Sequence, residues 1–152
     1  MEYPCISDKC KKELKNLESD KVYKALNESI NLTSKAMIAL NFKSNLSKKD
    51  LSEVNILYNQ MMAHIKAKSD IELFNQMRQC TFDKCRKDID KTMAILINEC
   101  QNKDKDISKN ACKIIQNKMN DNKQVQKALD AVFIDIWTNW KKNMLKKIKA
   151  KN

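Results

Sequence analysis

The sequence predicts an all-α fold, a disulfide-linked bundle of six to seven helices. Three observations carry this expectation. Glycine is absent from the 152 residues and Pro4 is the only proline. Hairpin turns that need positive φ would then have to rely on Asn and Asp, which argues against a β-sandwich or barrel. The lack of glycine also argues against a P-loop or a GxGxxG dinucleotide site, where backbone must approach phosphate closely. Apolar residues recur at helical spacing along most of the chain. Finally, six cysteines, an even number, are available to staple a small core. The length suits one domain, residues 1–152.

The helices are expected in the following order. Val22, Leu26, Ile30, Thr33, Met37 and Leu40 form one stripe, ended by the Asn/Lys-rich stretch 41–45. Ser47 and Asp50 make a capping box with Asp in place of the usual Glu. They open a helix striped by Leu51, Val54, Tyr58, Met61 and Ile65. Ser69-Asp70 can start a shorter helix carrying Ile71, Phe74 and Met77. Cys85, Ile89, Met93, Leu96 and Cys100 share a face, and a break follows at 101–106. Asp106 or Ser108 caps a helix bearing Ile107, Ala111 and Ile114. After 120–122 comes a last helix, about 124–149, with Leu129, Phe133, Ile136, Trp140, Met144 and Ile148 on one side. Each stripe needs a neighbour to cover it, and this last one is expected to be mostly buried.

Cys5-Ile-Ser-Asp-Lys-Cys10 recurs 75 residues later as Cys80-Thr-Phe-Asp-Lys-Cys85. Lys49-Asp-Leu-Ser-Glu-Val54 is matched by Lys127-Ala-Leu-Asp-Ala-Val132, and Ile-Lys-Ala-Lys appears at 65–68 and 148–151. The order suggests two related halves, 5–79 and 80–152, each too small for its own core and so packed as one domain.

The cysteine spacings x4, x4, x14 and x11 are not the x2 pairs of zinc ribbons, and His64 is the single histidine. Disulfides are therefore expected for Cys5, Cys10, Cys80, Cys85, Cys100 and Cys112, with no metal and no cofactor. Cys100–Cys112 would close a helical hairpin. The x4 pairs could bond locally, Cys5–Cys10 and Cys80–Cys85, replacing the hydrophobic staple at a helix start. Pairing between the halves is the rival. Within an unbroken helix, residues five apart point about 140° from each other and could not bond.

Disulfides imply an oxidising compartment and a secreted, extracellular protein. Met1–Cys5 is polar and does not read as a signal, so a mature chain whose signal has been removed is expected, and no apolar run reaches membrane-spanning length. Sequons at Asn27, Asn31 and Asn45 agree with secretion. The formal charge of +11 steers the chain toward anionic partners, and secretion argues against nucleic acid as the partner in vivo. Six lysines and no acid follow Asp135. Lys141, Lys142, Lys146 and Lys149 are the candidate polyanion-binding residues of this basic amphipathic tail. No nucleophile, acid–base pair or triad can be assembled, so a non-enzyme is expected.

A six-cysteine helical chain invites comparison with insect odorant-binding proteins, but only three residues separate their second and third cysteines. Here 69 residues separate Cys10 from Cys80. The glycine-free, Lys- and Asn-rich, disulfide-linked helical pattern resembles the small basic salivary proteins of mosquitoes and other blood-feeding insects. That resemblance implies a secreted non-enzyme engaging a host immune, complement or haemostatic component, and it transfers no site residue. The expected function is thus binding of an extracellular host protein or a sulfated cell-surface polyanion. Alternatives are a carrier of a small apolar ligand within the bundle, and a membrane-active basic protein.

Overall fold

The structure, a computed structural model, describes residues 4–102, 107–117 and 120–150. Among these, the chain is helical with no strand. The helices are α1 (Pro4–Lys9), α2 (Lys11–Ser19), α3 (Lys21–Asn41), α4 (Leu51–Ser69), α5 (Glu72–Lys84), α6 (Arg86–Cys100), α7 (Lys109–Gln116) and α8 (Asn122–Ala150), with a 3-10 turn at Lys48–Asp50. No described residue has positive φ. The glycine-free chain therefore ends its helices with right-handed or extended caps, such as Phe42, Asp70 and Asn117, and not with the left-handed cap glycine provides.

Among the described residues eight helices stand where six or seven were expected, because the cysteine motifs are themselves helical and bend. α1 begins at Pro4, a residue suited to the first helical turn, and the chain bends at Cys10 (φ −117°, ψ 33°) into α2. α5 runs through Cys80 and bends at Cys85 (φ −122°, ψ 38°) into α6. Each bend keeps the helical hydrogen bond into it, from Cys10 N–H to Ile6 and from Cys85 N–H to Thr81.

That continuity overturns the local pairing. A cysteine and its partner five residues on lie on opposite sides of one helical segment, so the bonds form between the motifs: Cys5–Cys85 and Cys10–Cys80, each with Cα atoms 5.9 Å apart. Exchanging the two motifs carries one bond onto the other. Cys100–Cys112 closes the α6–α7 hairpin as expected.

Caps set the other boundaries. Asp20 accepts from the Tyr23 N–H at the start of α3. The Ser47–Asp50 capping box forms, and the Asp50 carboxylate also takes the Lys43 ammonium at 2.6 Å. Ser69-Asp70 does not start α5. Ser69 closes α4, donating to the Ile65 carbonyl, and Ile71 precedes α5 without a side-chain cap. Ser108 caps α7, and its own N–H is held by Asp135 of α8 at 2.8 Å. Asp106, Met1 and Lys151 lie outside the described residues.

Two buried clusters result, joined by α8. The first gathers Met37 and Leu40 of α3, Val54, Met61 and Ile65 of α4, and Trp137, Trp140, Met144 and Ile148 of α8. Trp140 anchors it, donating from Nε1 to the Met37 carbonyl at 2.8 Å. The second gathers Ile89 and Met93 of α6, the Cys100–Cys112 bridge, Ile115 of α7, and Val125 and Ala128 of α8. Between Ala128 and Trp137, no residue of α8 is buried. The stripe expected there is thus only half right: Trp140, Met144 and Ile148 are buried, whereas Phe133 is 39% exposed and Ile136 is 51% exposed. The reason is a change of face. At about 100° per residue, the arc holding Val125 and Ala128 and the arc holding Trp137 to Ile148 differ by roughly a third of a turn. Leu129 and Ile136 fall between the two arcs, whereas Val132 lies on the first and Phe133 on the second, in the stretch where α8 passes from one cluster to the other.

Candidate functional site: a cavity between the two cores

Where α8 passes from one cluster to the other, a cavity of about 370 Å³ opens. This is at the low end of the range, about 300–1,000 Å³, found for small-ligand sites. Ile30 and Ile65 line it from the first cluster, and Leu96, Leu129 and Val132 from the second. Phe74, Phe133 and Ile136 complete the apolar wall.

One corner is polar. Lys68 and Ser69 come from the last turn of α4, Arg78 from α5 and Asp130 from α8. Arg78 pairs with Asp130 at 3.2 Å while its guanidinium lies over the Phe74 ring, 4.0 Å from the centroid. Ser69 reaches Asp130 at 3.5 Å, and Asn75 donates to the Ser69 carbonyl at 3.0 Å. The Lys68 ammonium sits over Phe74 and Tyr23, 5.0 and 5.6 Å from their centroids, and those two rings stack on each other at 5.8 Å. Among the described residues Lys68 makes no ion pair. Burial pulls its pKa below the ordinary lysine range; the nearby Arg78 charge acts in the same direction and Asp130 opposes. Burial likewise lowers Arg78, with Asp130 opposing. Two half-buried cations thus face one carboxylate. A second, more polar groove of about 890 Å³ between α5 and α8 shares Ser69, Arg78 and Asp130, so this corner is where the two spaces meet.

The lysines expected to form one basic patch divide into two groups. Lys142, Lys146 and Lys149 are exposed, and at helical spacing they share one face of α8. Lys141 is half-buried and lies over the Tyr58 ring at 4.6 Å. It fastens α8 to α4, alongside the Tyr58–Thr138 hydroxyl contact of 3.0 Å.

Chemistry elsewhere is sparse. His64 is half-buried on α4. Ligand-type atoms converge at Cys5, Cys85 and Asp88, and at Cys10, Cys80 and Glu13. In both groups the sulfurs are bonded to each other, and a disulfide offers no thiolate to a metal.

Sequence reasoning missed Lys68, Arg78 and Asp130. One signal was present: Asp130 is the only charged residue in the run Ala128–Ile134. Comparison with protein-family models, with curated proteins and with solved structures finds no match to this chain. Among the described residues no helix is long and apolar enough to cross a membrane, and three disulfides are the signature of an oxidising compartment.

Proposed function

We propose that this chain is a secreted, non-enzymatic binding protein that carries a small, largely apolar ligand in the cavity between its two cores. One observation carries the reading. Phe133 and Ile136 belong to a stripe whose pattern calls for burial, yet they stand open on a concave wall joined by Leu129, Val132 and Leu96. A ligand there would remove this surface from water, at a gain of about 25 cal/mol for each Å² covered. The disulfide framework and the resemblance to salivary proteins of blood-feeding insects support the secreted, non-catalytic part. The matching bends at Cys10 and Cys85 support reading 5–79 and 80–152 as related halves in one domain. Native mass spectrometry of the protein titrated with small amphiphiles tests the carrier reading. A one-to-one adduct is expected, lost when Ile136→Trp fills the cavity; no adduct with any amphiphile at a hundred micromolar, an order-of-magnitude ceiling for useful affinity, overturns it.

A second reading, engagement of a sulfated polyanion or an acidic host protein, is favoured by the exposed row of Lys142, Lys146 and Lys149. Heparin retention should then fall steeply with salt and drop when the three become glutamine. Retention unchanged in that variant would leave the row as a solvated helix face.

A further inference from the structure

We infer that the cavity selects a small amphipathic anion, a medium-chain alkyl carboxylate, with its tail along Leu129, Phe133 and Ile136 and its headgroup at Lys68 and Arg78. The inference rests on the carrier reading and adds the chemical class of the ligand.

Charge decides the class. Arg78 and Asp130 already neutralise one another at 3.2 Å. The Lys68 ammonium remains, half-buried over two aromatic faces, with no carboxylate of its own among the described residues. A carboxylate entering the corner would give Lys68 a charge-assisted hydrogen bond and could share the Arg78 fork, whose donors exceed what Asp130 takes. An alkylamine would bring a third cation to a site with one acid. An alcohol would bring no charge to complete the balance. Partial burial strengthens the preference, since ion pairs shielded from solvent are screened less than exposed ones.

Shape sets where the headgroup sits. The apolar wall of Ile30, Leu96, Leu129, Phe133 and Ile136 meets the polar groove at Ser69, Arg78 and Asp130, which line both spaces. A single chain with its head at that junction fits about 370 Å³. A sulfated polymer does not fit there, so this site and the lysine row on α8 are separable by experiment.

The test is calorimetric titration of the intact, oxidised protein with decanoate, 1-decanol and decylamine at neutral pH. Decanoate should bind one-to-one and at least tenfold more tightly than decanol, with decylamine weakest. Lys68→Gln should reduce the decanoate-to-decanol ratio about tenfold, the scale of one charge-assisted bond. Lys68→Arg should keep the preference. Equal binding of decanoate and decanol, or a ratio unmoved by Lys68→Gln, overturns the anion assignment and leaves the carrier reading intact. Binding of none of the three removes the carrier reading with it. Because the comparison of ligands on the unaltered protein stands alone, a variant that fails to fold does not blunt the test.

Discussion

Trp137 and Trp140 lie three residues apart on α8, in the same cluster, 9% and 6% exposed. They differ in one respect. Trp140 Nε1 donates to the Met37 carbonyl at 2.8 Å, whereas Trp137 Nε1 is buried with no hydrogen-bond partner. Replacing either with phenylalanine removes the same atoms from the same core, so the packing loss is nearly common to both. The polar terms have opposite signs. Trp140→Phe forfeits a buried hydrogen bond, about 1 kcal/mol. Trp137→Phe relieves an unsatisfied N–H, whose burial costs about 1–3 kcal/mol. Trp140→Phe should therefore be the less stable variant by roughly 2–4 kcal/mol, the sum of the two polar terms. For a chain of this size each kcal/mol corresponds to about 2–4 °C, giving a melting gap of several degrees between the variants. Far-UV circular dichroism during thermal and urea unfolding reads it directly. Equal midpoints, or a lower midpoint for Trp137→Phe, would refute the assignment of the two indole nitrogens.

Three further outcomes follow from the packing. Replacing Cys100 and Cys112 together by alanine opens a link across a sequence separation of 12 and should cost about 3 kcal/mol in the chain-entropy model, measured by urea unfolding. Lys141→Gln should destabilise by about 0.5–1 kcal/mol through loss of its contact with Tyr58, while Lys142→Gln should leave the melting temperature unchanged. The Asp50 carboxyl is held below its ordinary value of 3.8 by the Lys43 hydrogen bond first and the Ser47 N–H second. Its contribution is present above that value and is lost as pH falls through the lower, folded one. The melting gap between the native protein and Asp50→Asn should consequently close in acid, and a gap constant from neutral pH to below 3.8 would contradict this.

The sequence determined the helical class, because the absence of glycine and the spacing of apolar residues act locally and need no partner to be read. It also determined the Ser47–Asp50 cap and the Cys100–Cys112 hairpin, whose participants lie close along the chain. Nucleation of α1 at Pro4 was not legible from the stripes, and with it went the pairing of the first four cysteines. Once Cys5 and Cys10 share a helical segment they cannot bond each other, and their partners, Cys85 and Cys80, lie 80 and 70 residues away. The face of α8 was legible only in part. Periodicity shows that a helix has an apolar side, but the two clusters claim different arcs of it. The residues between those arcs become a cavity wall only when α3, α4, α5 and α6 have docked. The charged corner was legible only at Asp130, the one charge between Ala128 and Ile134. Lys68, Arg78 and Asp130 sit on three helices, and the two cations read as ordinary surface charges in their own segments. Tertiary packing alone brings two cations to one carboxylate beside an apolar wall, because burial and charge balance are properties of neighbours in space.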